Sequence, residues 1–576
     1  MSRSGRAKAL AGLVVFVITA ASSAAAQDSA AAAAAQAEAV RRQAALQRPD
    51  GALPMPAGTT SAVAPEALSS PAGAPCVAVD RIVVRGATLL SPDRIAETVS
   101  AYEGRCLGLV EINSVLGAVT FAFVEAGWIA TRVYLPEQDL GDGTLQLAVL
   151  EGALEKIAIT GDGAPAVLGR QAAGAFPGMV GQPLNLRDIE QGLGQMNRLR
   201  SVEAQVSLAA GREEGGSVLE VTRSQGRRLW GTLSFDNAGI GATGLYESSA
   251  VLGIDDPFGL NDAFYVRLQR SMVDHPLNFG AEDPSGWSGW LGYEVPYGVW
   301  TVGFDAGRSG YRSAVPGTTG PIDTSGGSDV VGVRVERMLY RDAVSVTSLE
   351  GSLVWTDNEN AILGTRIEAS SYALTVARLA LSRTQRLAAG ESWATVALEK
   401  GLDLWGAPDD DVGRAGSPAA QFLLGTLEAG LSQPFGPDET PWLYEGRLVA
   451  QWSDDVLYGG QQIGIGGPTT VHGSRGAKLY GNRGAYLRNE VSRSLVGIGG
   501  FDWLSPYAGF DVGWVQSQPD LGLEGGTLTG AVIGLRGAAG QVWFEVSYAR
   551  FVSTPDYLEA AFDDDGLALA TLSVRF

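Results

Sequence analysis

The chain has 576 residues, with 42 Lys and Arg against 63 Asp and Glu, and a formal net charge of −21. This acidity excludes a typical nucleic-acid binder, which needs Lys and Arg to neutralise phosphates. With 2 His and 2 Cys the chain is too poor in ligands for a zinc cluster, and it lacks the G-x-x-x-x-G-K-[ST] motif of an ATP-driven motor. We therefore predict no metal, no cofactor and no nucleic-acid partner.

The N-terminus has the features of a secretory signal peptide. A basic start precedes the apolar stretch Ala9–Ala21, and Ala24–Ala26 form a small-residue cleavage site. We predict that residues 1–26 are removed, and a membrane anchor is the less favoured alternative. No later run of about 18 apolar residues predicts a transmembrane helix. An exported chain with 18% charged residues and 77 Gly is then a periplasmic protein or a β-barrel.

The mature chain begins with a predicted helix on a flexible connection. Ser29–Leu46 is rich in the helix formers Ala, Gln, Glu and Arg, and Asp28 is suited to cap its first turn. Residues 48–75 are rich in Pro, Ala, Gly, Ser and Thr, a composition typical of a linker. Residues 27–47 are either a disordered leader with nascent helix or a mobile helix that docks elsewhere, and composition alone favours the first.

Two copies of a β-α-α-β-β pattern follow, and they predict two small α+β domains over residues 76–152 and 153–226. Edge strands of such domains are able to accept an added strand from an extended peptide. The predicted elements of the first copy are Arg81–Val84, Pro92–Ala101, Glu111–Glu125, Ile129–Leu135 and Thr144–Leu150. Those of the second are Leu154–Thr160, Ala164–Ala175, Leu186–Leu199, Val202–Leu208 and Ser217–Thr222.

Cys76 and Cys106 are the two cysteines of the chain. Because the signal peptide directs the chain to an oxidising compartment, we expect them to form a disulfide. A cross-link that closes a loop of about 30 residues stabilises a fold by roughly 3–4 kcal/mol in the chain-entropy model.

From residue 227 onwards helical periodicity disappears and short alternating segments begin. One face is apolar and the other mostly polar, as in Val331–Glu336 and Val542–Ala549. This pattern is typical of an antiparallel membrane β-barrel with lipid outside and water inside. At about 22 residues per strand and loop, residues 227–576 predict about 16 strands. A soluble sandwich or propeller does not explain the signal peptide together with the two faces.

Five segments, in this order, carry a family resemblance: Gly104–Asn113, Thr131–Leu140, Leu184–Leu199, Asp236–Gly244 and Tyr293–Gly298. The set resembles the outer-membrane transporters of two-partner secretion, the haemolysin and filamentous-haemagglutinin secretion/activation proteins. That resemblance implies two POTRA (polypeptide-transport-associated) domains, followed by the barrel. It also implies that residues 27–47 are a plug helix that occupies the pore at rest.

A sixth segment, Val471-His472-Gly473-Ser474-Arg475, resembles the loop that in this family folds back into the barrel. The family loop carries Val-Arg-Gly-Tyr/Phe, and its Arg pairs with the Asp of a Phe-x-Asp-x-Gly-like strand. Here that strand is Phe510-Asp511-Val512-Gly513, with Asp511 as the acid.

The loop departs from the family pattern at two positions. His472 stands in place of the Arg, and Ser474 in place of the aromatic residue. A neutral imidazole lacks the bidentate geometry of a guanidinium. Either His472 is protonated, or it donates as a neutral ring, or Arg475 supplies the charge; we favour Arg475 or a mixed pair.

The resemblance implies an outer-membrane translocator that secretes a large exoprotein of the haemolysin or adhesin type by two-partner (type V) secretion. The unfolded exoprotein would meet the POTRA domains in the periplasm, and the barrel, expected as a monomer, would contact lipid and lipopolysaccharide. The alternative is a factor that assembles other barrels. A solute porin does not need the two domains, and an enzyme is disfavoured because the chain has two histidines and no G-x-S-x-G motif.

Overall fold

The computed structural model describes residues 75–241, 243–273, 285–315, 320–410, 416–437, 439–521, 523–559 and 566–576. The predicted signal peptide, the helix at 27–47 and all but the end of the linker lie outside these residues, as does His275. In the part of the chain that is described, no helix is both long and apolar enough to cross a bilayer.

The first module is a three-stranded sheet covered by two helices. The strand order is β2-β5-β4, with β5 parallel to β2 and antiparallel to β4. Ser91 caps the first helix by accepting a hydrogen bond from the backbone N–H of Arg94. The elements are β1 Val77–Val79, β2 Arg81–Arg85, α1 Pro92–Ser100, β3 Arg105–Leu107, α2 Leu109–Glu125, β4 Arg132–Tyr134 and β5 Thr144–Leu150.

The second module repeats this plan. Its sheet has the order β6-β8-β7, so β7 is a terminal strand, and Asn185 caps the second helix. The apolar face of that helix, with Ile189, Leu193 and Met196, is buried in the module's core as its spacing predicts. The elements are β6 Ala153–Gly161, α3 Pro165–Ala175, α4 Leu186–Asn197, β7 Val202–Ala210 and β8 Gly216–Gln225.

The remaining chain forms a closed antiparallel barrel, which confirms the predicted fold class and strand number: sixteen long strands close it within the described residues. The first strand pairs with the last and so forms the seam. In chain order the strands are β9 Leu229–Asp236, β10 Tyr246–Asp255, β11 Ala263–Met272, β12 Ser285–Tyr297, β13 Trp300–Val315, β14 Ile322–Arg341, β15 Ser345–Ile362, the short β16 Thr365–Arg366, β17 Tyr372–Arg386, β18 Glu391–Leu402, β19 Leu423–Phe435, β20 Trp442–Trp452, the short β21 Ile463–Ile465 and β22 Leu479–Gly481, β23 Gly484–Arg493, the short β24 Leu495–Val496, β25 Trp503–Val515, β26 Gly526–Ala539, β27 Val542–Ser553 and β28 Leu567–Arg575.

The barrel strands turn apolar side chains outward. Exposed Val and Leu side chains cover the outer face, including Val331, Val333, Leu398, Val546 and Leu572. Large aromatic side chains are exposed near both ends of the strands, as expected of interfacial girdles. They include Tyr297, Trp300 and Trp442 at the end nearest the modules and Trp287, Trp452 and Trp514 at the opposite end.

Candidate functional site

A long loop between β20 and β23, residues 453–483, folds against the inner wall of the barrel. Its short strands β21 and β22 form a hairpin, with Ile463 opposite Gly481 and Ile465 opposite Leu479. The hairpin and wall share one apolar cluster, in which Val471 is fully buried. The loop is therefore anchored by packing, which fixes the position of the predicted motif. The members of the cluster are Ile463, Ile465, Val471, Leu479, Tyr486, Val515 and Leu528.

Strand β25 presents Asp511 to this loop. Phe510 and Val512 are exposed on the outer face, so Asp511 points inward, where 1% of it is exposed. A Cβ atom on Gly513 would lie 2.7 Å from Cγ2 of Val471. A Cβ atom on Gly530 of β26 would collide with the carbonyl oxygen of His472. Gly513 thus leaves room for the Val471 side chain and Gly530 for the backbone of His472, so the loop is able to lie close to the wall.

His472 contacts Asp511 directly. Its ring Nδ1 lies 2.5 Å from Oδ2 of Asp511, and its backbone N–H donates to the same oxygen at 3.1 Å. On the other side of the ring, Nη2 of Arg488 lies 3.3 Å from Nε2. Because a guanidinium only donates, this geometry makes Nε2 an acceptor and leaves the ring proton on Nδ1, where it is donated to the carboxylate.

Arg488 belongs to the same arrangement. It sits on β23 directly opposite Asp511 in the register with β25, and its Nε lies 3.9 Å from Oδ1 of that carboxylate. The His472 ring thus lies between a guanidinium of the wall and a buried carboxylate. Asp511 therefore faces both the His472 ring and the Arg488 guanidinium.

Arg475 lies elsewhere, contrary to the assignment favoured from the sequence. Its guanidinium donates to the carbonyl oxygen of Asn237, at the end of β9. In the chain between His472 and Arg475, Gly473 has a φ of +150°, and a Cβ atom at this residue would lie 2.5 Å from Cδ1 of Phe551. This backbone conformation, which favours glycine, sends residues 472 and 475 towards different strands. Ser474 lines a small cavity beside Arg475 and Ile240.

Three contributors to the site escaped sequence reasoning: Arg488, Asn237 and Gly530. Asn237 occurs in a segment that carries the family resemblance, but only the tertiary structure shows what it and Arg488 face. The alternation of polar and apolar residues along β23 places Arg488 on the polar, inward face of its strand, and this pattern is readable from the sequence. Gly530 had none, because the close approach of a distant loop leaves no local pattern.

A buried polar joint connects the second module to the first periplasmic turn of the barrel. Nη2 of Arg223 lies 3.3 Å from Oδ2 of Asp256, and both residues are almost fully buried. Burial raises the pKa of Asp256 and lowers the pKa of Arg223, because removal from water disfavours both charged forms. Nη1 of Arg198 lies 2.5 Å from Oε2 of Glu294 on β12, which adds a second ion pair.

A second turn of the barrel also contacts the module. Gly298 donates its N–H to the carbonyl oxygen of Gly174 at 2.7 Å, and its own carbonyl oxygen accepts from the amides of Gln191 and Gln195. These bonds join α3 and α4 to the turn between β12 and β13. The module is therefore held against the mouth of the barrel at two successive turns.

Cys76 and Cys106 form a disulfide, with Cα atoms 5.4 Å apart. Cys106 lies on β3, which pairs with β1, and Ala78 is its partner in that register. The cross-link fastens the start of the first module to the segment between its two helices.

The fold and the loop define a class of protein. A 16-strand barrel with an inward-folded loop, preceded by two small α+β modules at one mouth, is the architecture of an outer-membrane transporter with POTRA domains. A model of the haemolysin secretion/activation protein ShlB/FhaC/HecB matches residues 215–537, so the chain belongs to this family. Models of the ShlB-type POTRA domain and of a POTRA domain match residues 77–152 and 153–210.

Similar proteins are transporters of the outer membrane. The outer membrane transporter CdiB of Escherichia coli O6:K15:H31 is 33% identical over 516 residues, 89% of this chain and 85% of the relative. The hemolysin transporter protein ShlB of Serratia marcescens is 30% identical over 460 residues, 79% of each chain. The solved structure of CdiB from Escherichia coli, 29% identical, superposes with a TM-score of 0.82 over 95% of this chain and 98% of that one.

These relatives place the chain in two-partner secretion and favour secretion over the assembly of other barrels. The barrel lies in the outer membrane and the POTRA domains lie in the periplasm.

Proposed function

We propose that this transporter keeps its loop in the lumen through the His472–Asp511 contact and that one large exoprotein passes the barrel when this resting arrangement loosens. The observation that carries the proposal is the 2.5 Å approach of the His472 ring to a carboxylate buried in the barrel wall, with Arg488 behind the ring. A loop held by packing and by directed hydrogen bonds has one preferred position, and an exported chain needs the same space.

The exoprotein enters, in this proposal, as an unfolded chain that pairs with a strand edge of the POTRA domains. Strand β7, Val202–Ala210, is a nine-residue terminal strand of the second module sheet, and beyond Ala204, whose backbone binds the Asn197 amide, its outer side is an edge able to accept a strand. The joint at Asp256 holds this edge in a set orientation to the barrel mouth. Threading then depends on folding of the exoprotein outside the cell, and it needs neither a cofactor nor catalytic chemistry.

We also propose that one chain forms one pore, that its apolar outer face contacts lipid and lipopolysaccharide, and that residues 27–47 are a plug helix on the tether of residues 48–75. The apolar outer face supports the lipid contact. The helical composition of the leader and the width of a 16-strand barrel support the plug.

The loop contact is tested by secretion of a co-expressed exoprotein partner, with each variant matched for the amount of folded barrel. His472→Ala and Asp511→Ala should lower secretion severalfold, because a loop without these side-chain bonds has no single resting position on the wall and obstructs the lumen that the exported chain needs. His472→Arg, which restores the family residue, should retain it. Asp454→Asn, in the same loop but with an 80% exposed carboxylate, is the matched control. Unchanged secretion in both alanine variants would refute the proposed role of this contact.

The edge-strand proposal predicts an alternating response to proline in β7. Consecutive residues of an edge strand direct their N–H groups alternately to the neighbouring strand and to the outside. Among variants whose module stays folded, proline at Val206 should block secretion, because its N–H points away from β8 like that of Ala204; proline at Gln205 or Ser207 removes a bond to β8 and should instead destabilise the module. Circular dichroism of the purified variants checks that the module is folded, and secretion that is independent of position would argue against strand addition.

A further inference from the structure

At its outer end, the seam between the first and last barrel strands is closed by a side chain and no longer by regular backbone pairing. Strand β9 pairs with β28 over Thr232–Asp236, and Gly231 exchanges two backbone hydrogen bonds with Phe576 at the periplasmic end. Beyond Asp236, at the outer end, regular pairing stops. From there the two strands are held together by Asn237.

Asn237 bridges the seam with three hydrogen bonds. Its backbone N–H donates to the carbonyl oxygen of Ala570 at 3.3 Å, and its side-chain Oδ1 accepts from the N–H of Ala570 at 2.8 Å. Its Nδ2 donates to the carbonyl oxygen of Ala568 at 3.1 Å. The asparagine amide thus replaces the next backbone pair of the ladder, so the outer end of the seam depends on how Asn237 is oriented.

The inward-folded loop fixes that orientation. Arg475 donates to the carbonyl oxygen of Asn237, the one backbone group of this residue that faces away from β28. Next to it, a Cβ on Gly476 would lie 3.3 Å from Cγ2 of Ile240, so the loop also lies against the hairpin that follows β9. Three residues before Arg475, His472 is bound to Asp511 on β25. One short loop segment therefore contacts the wall at β25 and the seam at β9.

We propose that Arg475 and Asn237 form a latch that couples the position of the loop to closure of the seam at its outer end. Arg475 and Asn237 are positioning residues: they contact no exported chain, and they determine whether the first and last strands stay paired while the loop is inside. When the loop leaves, the carbonyl of Asn237 loses its cationic donor, and the bonds to Ala568 and Ala570 weaken with it. Loop release and loosening of the outer seam are then one event.

The test is hydrogen–deuterium exchange of the full chain in lipid nanodiscs, which requires no exoprotein. Arg475→Gln removes a hydrogen bond to a charged group, and Asn237→Ala removes the two side-chain bonds to Ala568 and Ala570; each should speed exchange in residues 566–572 by about tenfold. Arg483→Gln is the matched control. Arg483 is an arginine of the same loop that donates from Nε to the carbonyl oxygen of Ser453, away from the seam, and the variant should leave exchange at the seam unchanged.

Coupling is tested by a second substitution. His472→Ala should speed exchange of the seam in the otherwise unchanged chain, and it should add nothing in the Arg475→Gln background, because the link is already broken. Equal exchange in Arg475→Gln and Arg483→Gln, or equal effects of His472→Ala in both backgrounds, would overturn the latch.

If Arg475→Gln does not give a heat-modifiable folded barrel, Asn237→Ala carries the test, with Arg475→Lys expected to keep the unmodified rate. The latch rests on the proposed role of the inward-folded loop, but the exchange experiment contains no exoprotein. A negative result there would therefore refute the latch and leave the proposed function to the secretion experiments.

Discussion

Arg223 and Asp256 form an ion pair that belongs to neither the second module nor the barrel alone. Arg223 comes from the last strand of the module and Asp256 from the first periplasmic turn, and their side chains meet at 3.3 Å in a buried position. Asp256 also accepts from the N–H of Asn261 at 2.8 Å and from Nε2 of Gln171 at 2.5 Å. Contacts with the barrel therefore fix the orientation of the second module, which we propose to receive the exoprotein.

A double-mutant cycle on this pair should show strong coupling. Arg223→Met and Asp256→Asn should each weaken docking of the module by about 3–5 kcal/mol, because each leaves a buried charge or polar group without its partner. The loss of docking free energy in the double variant should be smaller than the sum of the losses in the two single variants. The measurement is the rate at which trypsin cuts at Arg227 and Arg228, which connect module and barrel. Arg212→Met, in an exposed turn of the same module, should match the unmodified chain, and additive effects would contradict a shared joint.

The same joint should respond to pH through Asp256. Because burial raises the pKa of this carboxyl in the folded protein, the folded state binds its proton more tightly than the unfolded state does. The contribution of Asp256 to stability should therefore fall as pH rises from the ordinary carboxyl range through the raised pKa. The urea midpoint of the helical circular dichroism signal should show this slope in the unmodified chain. If the urea midpoint still depends on pH in the Asp256→Asn variant, the dependence comes from other titratable groups and not from Asp256.

Removal of the disulfide should act on the first module alone. The bond joins residues 30 positions apart, so its loss should cost that module about 3–4 kcal/mol in the chain-entropy model. Hydrogen exchange in α1 and α2 should accelerate under reductant, whereas α3 and α4 should keep their rates. The Cys76→Ala/Cys106→Ala variant should reproduce the effect without reductant. Equal acceleration in both modules would show that they unfold as one unit.

Deletion of residues 28–47 should raise the ion conductance of the barrel in planar bilayers. If the predicted helix occupies the lumen at rest, its loss leaves a wider aqueous path through a 16-strand barrel. Replacement of residues 50–60 by Gly and Ser of equal length changes the tether and keeps the helix, and it should leave conductance low. Equal conductance with and without residues 28–47 would remove the plug from the proposal.

Local pattern was sufficient for most of the fold, because each barrel strand alternates an apolar outer face with a mostly polar inner face, and each module helix buries one face. It failed where an element is short or is shaped by a neighbour. Strands β1 and β3 have three residues each, too few for a period. The strand predicted from Ile129 begins at Arg132, because Ile129 and Ala130 instead pack on the core of the second module.

The amino-acid sequence by itself determined the class of the molecule: an exported chain, two repeated α+β modules, a membrane barrel of about 16 strands and the loop motif. These follow from composition and from periods of 2 and 3.6 residues, which are properties of neighbouring positions. Tertiary structure alone decided that His472 and not Arg475 reaches Asp511, that Arg488 stands behind it, and that Arg475 holds Asn237. Those contacts depend on strand register, on barrel closure and on the left-handed turn at Gly473, which bring together residues up to 238 positions apart.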